Sequence, residues 1–203
     1  DTNDAITVTV TDAISVSDFA TLNAKTGTDV ILTGGMSDEA VNLADTSGTL
    51  STDFSAATTQ DSDVAVTITS GSGITDANAA QISAVAGITS GAVTASIAGN
   101  YATVNALTNT DTNDAITVTV TDAISVSEFN TLNAKTGADI ILTGGITDEA
   151  TAFSSSSGVI ESGLAALSSQ DSDVTLTVSD KVNMAQFSDI DASTSVSVVL
   201  TGG

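Results

Sequence analysis

Short apolar runs recur along the chain, and several of them alternate with threonine. In the run at 5–11, Ile6, Val8 and Val10 occupy every second position, with threonines between them. Period-two alternation of β-branched residues is typical of a strand with one covered face. The run at 30–32 is apolar throughout, as in parallel strands covered on both faces. The pattern predicts eight strands, at 5–11, 29–33, 64–70, 92–98, 115–121, 139–143, 174–179 and 196–201.

Short helices are predicted between these strands. Ser125 can act as an N-cap, and Glu128 three residues later completes a capping box. Val126, Phe129 and Leu132 then lie on one face of the helix, at spacings of three residues. Further caps are predicted at Asn183, with Gln186 three residues later, and at Ser37, Thr75, Asn100 and Thr147.

The chain repeats itself at an offset of 110 in the numbering (111 − 1). Residues 1–40 match residues 111–150 at 34 of 40 positions, since six differ (18, 20, 28, 30, 36 and 37). The segment Gln-Asp-Ser-Asp-Val also recurs at the same offset, at 60–64 and 170–174. A fixed long period is the signature of a repeat architecture. We therefore expect two compound repeats in one continuous solenoid, 1–110 with about four coils and a shorter 111–203.

Four strand–helix units within one period give a mean spacing of 27.5 (110/4). That length favours an α/β repeat, rich in β-structure, in which short parallel strands alternate with short helices in a right-handed solenoid with coils of about 27 residues. A β-solenoid and a doubly wound α/β domain are the alternatives. The stretches 36–63 and 146–173 are longer than one coil needs, so each is expected to hold a lateral loop or an extra turn.

The composition adds a strong negative charge to this picture. Asp and Glu number 25 against 3 Lys and Arg, a net charge of −22, while 41% of the residues are hydrophobic. So much apolar sequence argues for a folded chain and against an acidic disordered tail. The charge argues against nucleic acids and anionic membrane surfaces as partners, and favours cations. No apolar run of about 18 residues occurs, so membrane insertion is not expected.

Catalysis is not expected from this set of residues. The sequence contains no His and no Cys, and its amine side chains are Lys25, Lys135 and Lys181. Most nucleophilic schemes need one of those groups beside a base. A carboxylate pair could still perform acid–base chemistry, so a carboxylate-based hydrolase is the distant alternative. We predict that the protein is not an enzyme.

Acidic clusters precede the predicted strands, and they suggest a role for calcium. If coils stack, carboxylates about 5 Å apart repel one another unless a cation neutralises them. Ca²⁺ binds six to eight oxygens from several residues, so a ladder of Ca²⁺ sites along one edge is predicted. The alternative is that Asp and Asn simply start turns there. The predicted ligands are Asp1, Asn3, Asp4, Asp29, Asp61, Asp63, Asp111, Asn113, Asp114, Asp139, Asp171 and Asp173.

The segment VTVTDAISVSEFNTLNAKTGADIILTGGITDEA resembles a known class of repeats. It is similar to acidic, Thr/Ala/Val-rich repeat regions of giant secreted bacterial cell-surface proteins, especially those of cyanobacteria, including surface proteins associated with swimming. The resemblance implies an extracellular location, calcium dependence and a role in a surface layer, fibre or adhesin. It implies no particular site residue.

These observations together predict a structural repeat module of a large extracellular bacterial surface or fibre protein, rigidified by calcium. The expected partners are adjacent repeats of the same polypeptide, or copies of the chain in a filament or layer. An adhesin-type module that recognises glycans or another cell through the stretches 36–60 or 146–170 is the alternative. Because the sequence starts within a repeat and shows no signal peptide, we expect it to be part of a longer protein.

Overall fold

A computed structural model describes residue 3, residues 5–69 and residues 77–202 of the chain. Parallel strands alternate with helices along it, so the α/β prediction is confirmed. The strands are β1 Val8–Thr9, β2 Val30–Ile31, β3 Met36–Glu39, β4 Val66–Thr69, β5 Val93–Gly99, β6 Ala115–Val120, β7 Ile140–Leu142, β8 Ile146–Asp148, β9 Leu176–Val178 and β10 Val199–Leu200. The helices are α1 Val16–Asn23, α2 Ala40–Leu43, α3 Thr52–Gln60, α4 Ala79–Ile88, α5 Tyr101–Asn105, α6 Val126–Asn133, α7 Ala150–Phe153, α8 Ser162–Gln170 and α9 Met184–Ala192.

The two longer stretches carry regular structure. Residues 36–60 contain β3, α2 and α3, and the second copy repeats them as β8, α7 and α8. Gly35 and Gly145 separate these strands from the preceding ones, with φ of 78° and 75° respectively. Positive φ is readily adopted by glycine, so the chain can turn there between two strands.

The helix caps follow the predictions in part. Ser125 and Asn183 each form the predicted capping box, and the side chain of Asn100 accepts the amide of Thr103. The predictions at Ser37 and Thr147 are wrong, because both residues lie inside strands. Their strands pair with β4 and β9, and that pairing overrides a local capping preference. The predicted cap at Thr75 lies outside the described residues.

The chain forms two compact units. The first comprises Asp1–Ile97 with Ala106–Ile116, and the second comprises Ala98–Asn105 with Thr117–Gly203. The short segment 98–105 therefore belongs with the second copy of the repeat, although it precedes that copy in sequence. The units divide the chain near the predicted boundary at 110, and their sequence ranges interleave there.

In the first unit, each registered strand pair is parallel. Val8 is opposite Val30, and Ile14 bridges to Met36, so the sequence numbers of both partners differ by 22 (30 − 8 and 36 − 14). Met36 is opposite Val66, and Val66 is opposite Val93, so the next differences are 30 and 27 (66 − 36 and 93 − 66).

The second unit repeats the first two of these differences, and its third is shorter. Val118 is opposite Ile140, a difference of 22 (140 − 118), and Ile146 is opposite Leu176, a difference of 30 (176 − 146). Thr177 is opposite Val199, which is again a difference of 22 (199 − 177). The separations thus range from 22 to 30, where the sequence predicted a uniform coil of about 27. The longer steps contain the extra helices α3 and α8.

The core lies between strands and helices in each unit. Val126, Phe129 and Leu132 of α6 are all buried, which confirms the predicted apolar face. Two large side chains exchange places between the copies. The pair in the first copy is Leu43 and Phe54, the corresponding pair in the second is Phe153 and Leu164, and all four are 0% exposed. The exchange conserves total volume, as close-packed interiors require.

Candidate functional site: acidic and amide side chains between neighbouring strands

Carboxylates in or just after a strand accept a hydrogen bond from the first amide of a helix that begins 21 to 30 residues earlier in the chain. Asp38 Oδ2 accepts the N–H of Val16 at 2.9 Å, and Asp148 Oδ2 accepts the N–H of Val126 at 3.1 Å. Val16 and Val126 are the first residues of α1 and α6, whose first-turn amides have no partner within the helix. A negative charge is also favourable at that end of the helix dipole. We call these contacts helix clamps.

Two further helix clamps occur in the second unit. Asp122 Oδ1 accepts the N–H of Tyr101 at 2.7 Å, and Asp180 Oδ1 accepts the N–H of Ala150 at 2.6 Å. Tyr101 and Ala150 begin α5 and α7. The sequence separations between clamped amide and carboxylate are 21 and 30 respectively. Each bond therefore joins one strand–helix segment to the next.

The recurring Gln-Asp pair forms a second kind of contact, which we call a strand clamp. Gln60 Oε1 accepts the N–H of Val30 at 2.8 Å, and Asp61 Oδ2 accepts the N–H of Leu32 at 2.6 Å. These two side chains occupy the position where the backbone of another strand would bond to β2. Gln60 Nε2 also donates to Asn23 Oδ1 at 2.7 Å, which ties α3 to the end of α1.

The second copy repeats the strand clamp at the same offset. Gln170 Oε1 accepts the N–H of Ile140 at 3.3 Å, and Asp171 Oδ2 accepts the N–H of Leu142 at 2.9 Å. Gln170 Nε2 donates to Asn133 Oδ1 at 3.2 Å. The repeated Gln-Asp-Ser-Asp-Val segment thus has a structural function in both copies.

Asp114 is a buried carboxylate, with 7% of its surface exposed. Its Oδ1 accepts the N–H of Val93 at 2.8 Å, and its Oδ2 accepts the N–H of Asp111 at 3.1 Å. Asp111 Oδ1 in turn accepts the N–H of Asn113 at 2.7 Å. A buried charge is tolerated when hydrogen bonds replace its lost hydration. The cluster 111–114 is therefore a folded turn with satisfied carboxylates.

Asp171 and Asp173 are the acids whose mutual influence is clearest. Burial raises the pKa of Asp171, the hydrogen bond from Leu142 opposes that rise, and the side chain and charge of nearby Asp173 add to it. In the first copy, Asp61 and Asp63 line a cleft together with residues 34 and 35. These two pairs, together with the turn at 111–114, are the places where the structure brings predicted calcium ligands near one another.

The remaining predicted ligands are dispersed. Asn3, Asp29 and Asp139 are exposed, while Asp1 and Asp4 lie outside the described residues. Within the described part of the chain, no group of three or more acidic side chains converges as a metal site would. Among the predicted ligands, the structure brings together two pairs, Asp61 with Asp63 and Asp171 with Asp173, and the turn at 111–114.

The clamps were missed by the sequence reasoning. Gln60, Gln170 and the four acids of the helix clamps did not stand out, because Asp is common in this chain and lies next to many turns. The available signal was the exact recurrence of Gln-Asp-Ser-Asp-Val, which indicated a role for both Gln and Asp.

In the described residues, no helix combines the length and apolar character needed to cross a membrane. No protein-family model, curated protein or solved structure matches the chain. The class that the structure itself defines is an α/β protein whose strands and helices recur with the sequence repeat.

Proposed function

We propose that the chain is a structural repeat module of a large extracellular bacterial surface or fibre protein. In this proposal its strand–helix segments stack as the coils of a right-handed solenoid. Its partners are adjacent repeats of the same polypeptide, or copies of itself in a filament or layer. The resemblance of its repeats supports a location outside the cell, where its work is mechanical.

The observation that carries this proposal is the recurrence of the clamps. Each clamp spans a sequence separation of 21 to 30, as the extreme cases Tyr101 with Asp122 and Ala150 with Asp180 show. A segment therefore completes its backbone hydrogen bonds with side chains of the following segment. Proteins built in this way gain stability from contacts between neighbours, and can be lengthened by adding repeats.

Lengthening is the direct test. Tandem chains with one, two and three additional copies of residues 1–110 should fold, and small-angle scattering should show particles that grow along one dimension. Four coils at about 4.8 Å each give an increase of about 19 Å per copy. A maximum dimension that grows as the cube root of the mass would contradict a solenoid.

Calcium is the second component of the proposal. The Asp171–Asp173 pair supports it, because the raised pKa of Asp171 reflects an unfavourable negative charge that a cation would offset. Two carboxylates supply at most four oxygens, so backbone carbonyls or water would complete a coordination shell of six to eight. Thermal unfolding in Ca²⁺, Mg²⁺ and EGTA tests this component, with Asp173→Asn as the matched variant. An unfolding midpoint that is unchanged by EGTA would remove calcium from the proposal.

An adhesin-type role has one observation in its favour. Val159 and Ile160 are 61% and 42% exposed, and they lie between α7 and α8 in one of the stretches predicted to bind partners. Isolated exposed apolar residues are common, so this observation is weaker than the recurring clamps. Glycan-array binding that is lost in Val159→Ser with Ile160→Ser would favour the adhesin, and the absence of binding would leave the mechanical role.

A further inference from the structure

The same sequence has two different environments in this protein. Residues 6–22 and 116–132 differ at only two positions, 18 and 20. Ile6 is nevertheless 57% exposed, while its equivalent Ile116 is 0% exposed. The difference must come from what covers each copy, because the local sequence is the same.

The difference extends along the strand and onto the helix. Four apolar residues of the first copy are all partly exposed, namely Val8, Val10, Ile14 and Leu22. Their equivalents in the second copy are buried to 2% exposure or less, namely Val118, Val120, Ile124 and Leu132. The first copy thus presents an apolar surface, formed by the outer sides of β1 and α1, that the second copy has covered. We call it the β1–α1 face.

In the second unit, the segment Ala98–Asn105 lies beside β6 and α6 on the equivalent side. Gly99 O accepts the N–H of Thr121 at 2.9 Å, which extends the sheet by a strand. Tyr101 donates its N–H to Asp122, and α5 packs against α6. Val104 of α5 is 0% exposed and is the apolar anchor of this segment.

A lysine completes the cover at its other end. Lys135 Nζ donates to Asn105 O at 2.9 Å, so its charge lies at the carboxyl end of α5. Cations are favourable at that end of a helix. Burial under this contact lowers the pKa of Lys135. The cover is therefore held at three points: a strand carbonyl, a helix start and a helix end.

The first copy carries all three complementary groups. Thr11, Asp12 and Lys25 are the equivalents of Thr121, Asp122 and Lys135, and the three in the first copy are exposed. The covering segment is also suited to a protein with a net charge of −22, because residues 77–110 contain no Asp, Glu, Lys or Arg. An uncharged segment can approach an acidic surface without electrostatic repulsion.

We propose that the β1–α1 face is a docking surface for another repeat of this sequence, which would contribute a coil of the β5–α5 type. The docked coil adds a parallel strand to the edge of β1 opposite β2 and places a short helix on α1. Asp12 accepts the first N–H of that helix, and Lys25 donates to its last carbonyl. This inference rests on the proposed modular function and names the partner that such a module joins.

The test is a graft within one chain. Residues 93–110 are placed directly before Asp1, which reproduces the natural Thr110–Asp111 junction. Amide hydrogen exchange is then compared between the grafted and the original chain. The N–H of Val10 already donates to Ile31 O, so the effect is followed at Thr11, the equivalent of Thr121. We expect the Thr11 amide to exchange at least about tenfold more slowly in the grafted chain, because it becomes part of an interior strand pair.

Two controls make the result specific. A graft that carries Val104→Asp in the added segment should give no protection, because its buried anchor is lost. A graft on a chain with Asp12→Ala and Lys25→Ala should give reduced protection. Equal exchange in the grafted and original chains, or equal protection by the Val104→Asp graft, would overturn the inference.

The graft experiment and the tandem-chain test of the proposed function can succeed or fail independently. The graft works within one molecule and needs no filament, calcium or cell surface. Protection without growth of the tandem chains along one dimension would keep the docking surface and remove the solenoid. Growth of the tandem chains without protection in the graft would keep the solenoid and remove this docking geometry.

Discussion

The helix clamp at Asp148 offers a quantitative test of how neighbouring segments are joined. Asp148 Oδ2 accepts the N–H of Val126 at 3.1 Å, and its Oδ1 accepts the N–H of Glu149 at 2.9 Å. Replacing Asp148 with Ala leaves the first amide of α6 without this acceptor. It also removes a negative charge from the positive end of the helix dipole.

The size of the effect follows from these contacts. Loss of an N-cap acceptor typically costs about 1 kcal/mol. The dipole contributes about 0.3–1 kcal/mol at a partly exposed position. Asp148 is half-buried, so solvent reduces the electrostatic part. We expect Asp148→Ala to lower the free energy of unfolding by about 1–2 kcal/mol, and Asp148→Asn by less, since the amide oxygen can still accept.

Glu149→Ala is the matched control. Glu149 is exposed and adjacent, so its removal changes the net charge equally without removing a clamp. In a chain of net charge −22, losing any acid also relieves repulsion, and this control measures that relief.

The assay is urea unfolding followed by circular dichroism, with hydrogen exchange at the Val126 amide as the local readout. Exchange at Val126 should accelerate in Asp148→Ala and stay unchanged in Glu149→Ala. If the two variants are equally stable and Val126 exchanges at the original rate in both, the clamp contributes nothing and the reasoning is wrong.

Three further predictions concern packing, pH and backbone geometry. Leu43→Phe and Phe54→Leu should each destabilise by about 1–3 kcal/mol through overpacking or a cavity, and the double variant should recover most of the loss in urea unfolding; additive losses would contradict the volume exchange. The pKa of Asp171 in the folded state is raised above its ordinary value of 3.8. Its protonated side chain therefore stabilises the fold fully below pH 3.8, and this stabilisation is lost as the pH rises through the folded-state pKa. Asp171→Asn should therefore gain stability relative to the original chain as the pH rises from 3.8, and a pH-independent difference would contradict the shift. Gly145→Ala should destabilise by about 1–3 kcal/mol in thermal unfolding, because φ is +75° and the new Cβ would lie 2.6 Å from Thr175 O; an unchanged midpoint would contradict this.

Local sequence determined several of the elements of this protein. Alternating β-branched residues marked strands such as β6, and Ser125 with Glu128 marked the start of α6. These features act over a few residues, so they can be read without knowledge of the fold. For the stretches 36–63 and 146–173 the sequence predicted only a lateral loop or an extra turn, and the structure showed β3, α2 and α3 with their second-copy equivalents β8, α7 and α8.

The register between strands was decided by tertiary structure. The mean spacing of 27.5 concealed differences of 22, 27 and 30 between paired positions, because α3 and α8 lengthen particular steps. The roles of Asp38 and Gln60 were hidden for a related reason. Each binds an amide of a different strand–helix segment, and no local pattern indicates which amide a carboxylate or carboxamide will reach.

The two nearly identical segments at 1–27 and 111–137 show most clearly what local sequence determines and what tertiary structure decides. Their shared sequence determined a strand followed by the same capped helix in both copies. The strand has two residues in the first copy and six in the second. Only tertiary structure decided that Ile116 is buried while Ile6 is 57% exposed. Burial depends on the neighbour that removes a side chain from water, and a segment does not encode its neighbour.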